Sequence, residues 1–145
     1  MTASRKECRQ ALATKLQSEI TGQPVPVFYA YQKAKLDGQS PVVVVSSGPA
    51  ARPGQTFQGD GPVYELEVLT LVLMATAAGA YTEESSENLL DDLEEQIAAS
   101  VNRRPQATDL WLALEYAGPS EPGVLEDLSG NTYRYETHRI AVYAK

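Results

Sequence analysis

Acidic side chains are the residues whose number and spacing most suggest chemistry in this 145-residue chain. The stretch 83–95 contains seven Asp and Glu residues and no Lys or Arg. The whole chain has 19 acids, 12 bases and a formal net charge of −7, so this stretch accounts for the entire net charge. Such an acidic patch disfavours direct phosphate binding, which requires Lys and Arg.

Carboxylates along one helix are usually a solvated surface, which is the simplest interpretation of this patch. Asp91, Asp92, Glu94 and Glu95 supply the oxygen ligands that a hard cation prefers. However, adjacent carboxylates on a helix point in different directions, and no Cys/His cluster accompanies them. We therefore predict no metal ion and no other cofactor.

The residues that most often act as nucleophiles or bases lack partners that catalysis would need. The single cysteine, Cys8, falls on the apolar stripe of a predicted helix, which indicates a packed thiol. The single histidine, His138, lies within a predicted strand, where a structural role is usual. The sequence has no GxSxG elbow, no GxxxxGKS/T phosphate loop and no Rossmann glycine pattern. We therefore predict that the protein is not an enzyme.

The spacing of apolar residues predicts two amphipathic helices. The first, about 4–21, begins with the capping-box pair Ser4 and Glu7 and ends at Gly22. The second, about 82–104, begins at the N-cap Thr82 and has Leu89, Leu90, Leu93, Ile97 and Val101 on one stripe. Its acids occupy most of the remaining surface.

Five strands are predicted at 25–31, 42–45, 63–74, 109–117 and 131–143, with 63–74 as the central strand. A turn at Asp37-Gly38 favours a hairpin between the first two strands. The order α-β-β-β-α-β-β predicts an α+β fold with a mainly antiparallel five-stranded sheet and two helices on one face. At this length, 1–145 should form a single domain.

Long irregular loops are predicted at 47–62 and 118–130, which are rich in Gly and Pro. Loops of such length in compact domains are usually functional or disordered. We interpret Arg52 and Phe57 in the first loop, and Glu121 and Glu126 in the second, as candidate partner-facing residues.

The spacing of apolar residues in two strands predicts which side chains share a face of the sheet. Leu110, Leu112 and Leu114 should share one face of their strand. In the last strand, Tyr133 and Tyr135 are out of phase with Ile140 and Val142. That pattern predicts either a bulge near His138 or a change in which sheet face is covered.

The sheet should be apolar on both faces, because 42–45, 69–74 and 110–114 carry apolar residues in succession. Two helices can cover only one face. The second must be covered by a loop or by another subunit, since exposing it would risk aggregation. We favour another subunit and interpret Val44, Leu71 and Leu73 as candidate subunit-packing residues.

The layout resembles the tail-terminator proteins of long-tailed bacteriophages, which complete the tail and join it to the head. The resemblance lies in the aromatic strand PVPVFYAY, the short strand PVVVV, the helix ENLLDDLEEQIAASV and the closing strand YRYETHRIAVYAK. It implies a non-enzymatic subunit of a homohexameric ring that caps the tail tube. The implied partners are the tail tube protein and the head connector or head-completion protein, and DNA would pass without specific binding. The resemblance also implies assembly in the host cytoplasm and residence in the virion tail.

Two other functions stay open: another head–tail connector or head-completion subunit, or a small-molecule-binding α+β domain. The apolar run 68–80 is too short to span a membrane, and no signal peptide is apparent, so a soluble intracellular protein is expected.

The acidic face also has several possible roles. Glu84, Glu87, Asp91 and Glu95 could line the channel of a ring, meet solvent, or contact a basic surface of a neighbour. The nearest basic candidates are Arg5, Lys6, Arg9 and Lys15 on the first helix.

Overall fold

The structure is a computed structural model that describes residues 3–47, 62–74, 79 and 81–145. Within these residues it forms an α+β fold with two helices and a six-stranded mixed sheet. The elements are α1 (Arg5–Glu19), β1 (Val27–Tyr29), β2 (Val42–Ser47), β3 (Val63–Leu73), α2 (Glu83–Asn102), β4 (Trp111–Pro119), β5 (Gly123–Glu126) and β6 (Thr132–Ala144). The predicted loop at 47–62, with Arg52 and Phe57, lies outside the described residues except at its two ends.

The predicted fold class is confirmed, with one more strand than expected. The sheet order is β1-β2-β3-β6-β4, and β5 also pairs with β6. The strand β3 lies in the middle, as predicted, and pairs antiparallel with β2 and with β6. Its pairing with β6 runs without interruption from Val63 opposite Tyr143 to Leu73 opposite Tyr133.

The predicted hairpin between the first two strands is wrong. β1 pairs with β2 in parallel, with Val27 opposite Val42. Parallel neighbours need a crossover of about a dozen residues, and 30–41 supplies it. Asp37 and Gly38 do make the tight turn, with φ of 52° and 75°. The crossover stays on the sheet because Leu36, only 2% exposed, packs into an apolar cluster.

Both predicted helix starts are confirmed by reciprocal caps. In α1 the Glu7 amide donates to Ser4 Oγ at 3.1 Å, and the Ser4 amide donates to Glu7 Oε1 at 3.0 Å. In α2 the Ser85 amide donates to Thr82 Oγ1 at 3.1 Å, and the Thr82 amide donates to Ser85 Oγ at 2.8 Å. Each cap stabilises its helix by about 1 kcal/mol.

Both helices pack on one face of the sheet, which we call the helix face. The buried cluster there includes Cys8, Leu12, Leu16, Leu90, Leu93, Ile97, Leu66, Val68, Ile140 and Val142. Burial raises the pKa of Cys8 to about 11. The interpretation of this cysteine as a packed thiol is therefore confirmed, since a reactive cysteine needs a lowered pKa.

The opposite face, which we call the second face, is covered in part by the chain itself. Val44, Leu71 and Leu73 are 2%, 3% and 8% exposed and form a cluster with Val42, Leu36 and Tyr133. Our assignment of these three residues to packing between subunits is therefore wrong. The crossover 30–41 and the hairpin of β5 and β6 supply the cover that we had assigned to a second subunit.

Of the two predicted strand patterns, the one in β4 is wrong. Trp111 and Leu114 are both buried, whereas Leu112 is 42% exposed. The register of β4 against β6 shifts between Trp111 and Ala113, so the three leucines do not share a face. In β6 the change of covered face is the correct alternative: Tyr133 packs on the second face and Ile140 on the helix face.

The predicted loop at 118–130 is only partly irregular. Pro119 still belongs to β4, and Gly123–Glu126 forms β5, which pairs with the start of β6. Gly123 permits this pairing because a Cβ on it would lie 2.6 Å from the Tyr135 ring. The irregular parts are therefore the connection at 120–122 and the turn at 127–131.

Asp127 holds the turn and the crossover together, and removing its carboxylate should loosen the second face. Asp127 accepts from the Leu36 amide at 2.7 Å, the Ser129 amide at 3.2 Å and the Asn131 amide at 3.1 Å. We expect Asp127→Ala to melt at a lower temperature than the wild type and Ser129→Ala to change much less. Thermal unfolding followed by circular dichroism tests this, and equal melting temperatures for Asp127→Ala and the wild type would contradict it.

Candidate functional site

The acidic face of α2 is the most charged surface in the described part of the chain. Glu84, Glu87, Asp91 and Glu95 are all exposed, as are Glu83 and Asp92. None of these carboxylates forms an ion pair with a described residue. The α2 N-terminus favours only the acids of its first turn, Glu83 and Glu84. The acids from Glu87 onward lie beyond the first turn of α2, where the helix dipole no longer favours a negative charge.

One acid of the helix points differently from the others. Glu94 is only partly exposed, and Tyr116 Oη donates to its Oε2 at 2.7 Å. Tyr116 lies on β4, so this bond links α2 to the sheet beneath it. Near the start of the helix, Arg134 Nε on β6 donates to Ser86 Oγ at 3.2 Å and makes a second such link.

A buried chain of hydrogen bonds continues from Glu94 into the sheet. Tyr116 Oη lies 2.9 Å from His138 Nδ1, and His138 Nε2 lies 3.2 Å from Thr70 Oγ1. Tyr116 has one hydroxyl proton and donates it to Glu94, so it must accept from His138 Nδ1–H. Thr70 Oγ1 lies between two possible acceptors for its one proton, His138 Nε2 and the Glu136 carbonyl at 3.4 Å. The bonds of Tyr116 place a proton on Nδ1 of the histidine.

Burial sets the protonation of this chain. His138 is 0% exposed, and burial lowers its pKa to about 4. The histidine is therefore neutral at pH 7. Burial, followed by the hydrogen bond to Glu94, raises the pKa of Tyr116 above its usual range, so the phenol keeps its proton. The interpretation of His138 as a structural histidine agrees with this geometry.

Glu136 lies beside this chain and is not satisfied by it. Its side chain is 7% exposed, and Oε1 has no hydrogen-bond partner among the described residues. Glu136 pairs with Thr70 in the sheet, and Thr70 shares a face with Val68, which packs against the helices. Glu136 therefore lies on the helix face. Burial and then the negative charges of Asp91 and Glu94 raise the pKa of Glu136. Both causes favour the neutral form of this carboxyl group.

The cluster is not arranged for catalysis. His138 is fully buried, and both of its ring nitrogens are already hydrogen-bonded. In the part of the chain that the structure describes, no group of three or more His, Cys, Asp or Glu residues could hold a metal ion. The cluster therefore fixes α2 on the sheet and adds negative charge beneath its acidic face.

The basic residues predicted on α1 divide into two pairs. Lys15 is committed to Glu19, with an Nζ–Oε2 distance of 2.9 Å, and Arg9 is partly buried beside Ser47. Arg5 and Lys6 are exposed at the start of the helix. Only this second pair remains available to a neighbouring molecule.

Of the predicted partner-facing residues within the described part of the chain, both acids are exposed. Glu121 lies in the connection between β4 and β5, and Glu126 ends β5. Beside them on the second face lies an open apolar groove of about 440 Å³. Leu36, Leu71 and Leu125 line it, together with Leu128, which is 79% exposed.

Comparison with models of known protein families finds no match, and comparison with curated protein sequences finds no significant similarity. Among the described residues, neither helix combines the length and the apolar character needed to cross a membrane.

Proposed function

We propose that the protein is a structural virion protein, a tail terminator that caps a phage tail tube as a homohexameric ring. In this role it forms the joint between the tail tube protein and the head connector or head-completion protein. It works by assembly, without catalysis or a cofactor, while DNA passes through the ring without specific binding. Its place is the virion tail, after assembly in the host cytoplasm.

One observation supports this proposal best: the acidic face of α2 carries six exposed acids that no described residue pairs. The helix is held on the sheet by its apolar stripe and by buried hydrogen bonds, so these acids are not needed for folding. A ring uses such a surface in two ways, as a contact between subunits or as a channel wall that repels DNA. The sequence resemblance to tail terminators adds the tail as the setting.

The channel-wall role has a distance limit. Salt screens charges beyond about 8–10 Å at physiological ionic strength, so α2 would have to lie next to the DNA. The contact role needs a basic surface on a neighbour instead. The exposed pair Arg5 and Lys6 supplies part of such a surface.

Electron microscopy of the purified protein tests the proposal. We expect closed rings of uniform diameter with an open centre, seen end-on in negative stain. The sample should be imaged at low and at high salt, because contacts between charged surfaces weaken as salt rises. Single globular particles at every protein concentration and salt concentration would contradict a ring.

A small-molecule-binding domain is the second candidate, and the groove on the second face favours it. Pockets for small ligands are usually 300–1,000 Å³ and mostly apolar with a few polar groups, a description that this groove meets. Two acids line it, Glu126 and Asp127, and the carboxylate of Asp127 is already used by three backbone amides. Saturable binding of an apolar fluorescent probe that Leu125→Asp abolishes would support this second function.

A further inference from the structure

We infer that the acidic face of α2 on one copy binds the basic end of a second copy, so that subunits join head to tail. The inference rests on the proposed ring and names the surfaces that hold it together. We define the acidic face as the exposed residues Glu83, Glu84, Glu87, Asp91, Asp92 and Glu95. We define the basic end as a group of four exposed bases that the contacts described next bring together: Arg5, Lys6, Arg104 and Lys145.

The basic end forms where Ala3, Lys145 and the end of α2 meet. The Ala3 amide donates to the Lys145 carbonyl at 3.0 Å, which places Arg5 and Lys6 beside Lys145. The Lys145 amide in turn donates to the Leu110 carbonyl at 2.9 Å, at the start of β4.

Arg104 joins the same end through the start of β4. Trp111 Nε1 donates to the Gln106 carbonyl at 2.9 Å, and Arg104 Nη1 donates to Gln106 Oε1 at 2.9 Å. The exposed bases of this end are thus Arg5, Lys6, Arg104 and Lys145. Two exposed acids lie among them: Glu7, which caps the Ser4 amide, and Asp109.

The acidic face begins at the opposite end of the sheet. Its helix starts beside Arg134, which is opposite Val72 near the end of β3. The basic end lies near the start of β3, because Tyr64 Oη donates to the Ala3 carbonyl at 2.9 Å. Eight residues of strand separate Tyr64 from Val72, a distance of about 26 Å.

The separation limits how far the two charges neutralise each other inside one subunit. The start of the acidic face is roughly 26 Å from the basic end along β3, and Glu95 lies seven residues, about 10 Å of helix, before the end of α2. Both distances exceed the screening length of about 8 Å at physiological salt. Head-to-tail association would bring them into contact. Because the two surfaces differ, the contact is heterologous, and a heterologous contact closes into a ring when the rotation between subunits permits it.

The buried carboxyl of Glu136 gives an independent reason to expect a cation at this face. The side chain is 93% buried, its Oε1 lacks a hydrogen-bond partner among the described residues, and Asp91 and Glu94 on α2 face it. Unsatisfied buried oxygens are rare in native proteins and call for an explanation. A basic side chain of a neighbour, placed over Asp91, would offset the negative charge of Asp91 and Glu94.

Charge reversal on each surface tests the inference. The acidic-face variant is Glu87→Lys with Asp91→Lys, and the basic-end variant is Arg5→Glu with Lys6→Glu. All four positions are exposed, so both variants should fold, which circular dichroism checks. At a salt concentration where the wild type forms rings, light scattering should show each variant as a monomer.

Restoration makes the test specific. A chain carrying all four substitutions again has opposite charges on its two surfaces and should assemble like the wild type. An equimolar mixture of the two double variants should also assemble, with the variants alternating around the ring. Reversing two surface acids elsewhere, Glu67→Lys with Glu115→Lys, changes the net charge equally and should leave assembly unchanged.

Three results would overturn the inference. If wild-type rings form and both double variants also form them at the same salt, the ring stands but its contacts lie elsewhere. If the double variants are monomeric but neither the four-substitution chain nor the mixture assembles, the surfaces do not bind each other. A wild type that stays monomeric under all conditions overturns the ring itself, and this inference with it.

Discussion

Leu71→Asp is expected to abolish the folded state. Leu71 is 3% exposed on the second face, where it packs in a cluster with Val44 and Tyr133. Burying an unpaired charge costs several kcal/mol even when the group responds by taking up a proton. Natural domains are stable by only about 5–15 kcal/mol. Far-ultraviolet circular dichroism and light scattering should show an unfolded or aggregated protein.

Leu128→Asp is the matched control for that substitution. Leu128 borders the same groove but is 79% exposed, so its replacement should leave the melting temperature within a few degrees of the wild type. A soluble Leu71→Asp protein that unfolds cooperatively near the wild-type temperature would show that Leu71 is not buried as described.

Acidification should destabilise the protein through His138 well above the pH at which most carboxylates titrate. Burial lowers the pKa of His138 to about 4, whereas an unfolded histidine titrates near 6.5. Below about pH 6.5 the unfolded chain takes up a proton that the folded protein refuses until about pH 4. Folding stability should therefore fall between these values, by about 3 kcal/mol in total.

His138→Gln isolates this contribution, because glutamine can bond with Thr70 and Tyr116 but does not titrate. Glu136 works in the opposite direction: its pKa is raised, so the folded protein binds that proton more readily than the unfolded chain as the pH falls. The informative quantity is thus the difference between wild type and variant in the free energy of unfolding. Urea unfolding from pH 7 to pH 4 should show the free energy of unfolding of the wild type falling relative to that of the variant as the pH falls. A difference that is constant with pH would contradict a buried neutral histidine.

The features predicted correctly from the sequence depend on short stretches of chain. The caps at Ser4 and Thr82 need only residues three positions away, and the stripes of both helices follow from a repeat of 3.6 residues. The central place of β3 follows from its length and its apolar second half. These are local properties, so neighbouring residues determine them.

The features missed depend on contacts between distant residues. The parallel pairing of β1 requires Leu36 to be buried by Val42 and Val44, although its surroundings in the sequence are polar. The register of β4 shifts against its partner strand β6, and Trp111 Nε1 donates to the Gln106 carbonyl. The spacing of residues within one strand cannot predict either contact. The assumption that two helices were the only cover led to the wrong assignment of Val44 and Leu71.

The candidate site also has some features that the sequence predicts and others that it does not. The exposure of Glu84, Glu87, Asp91 and Glu95 could be predicted because a helix with one apolar stripe must expose the opposite side. The buried cluster beneath could not, because its hydrogen bonds join residues of three strands to Glu94. One signal was available: Glu136, His138 and Ile140 occupy every second position of one strand, so their side chains lie on the same, covered face.

The mass of the purified wild-type protein in solution, measured by multi-angle light scattering at low salt, tests the central claim most directly. The account predicts a discrete species of six times the 15.7 kDa subunit mass, which dissociates as the salt concentration rises. A strict monomer from micromolar to millimolar concentration, at low salt as well as high, would contradict a subunit built to assemble with itself.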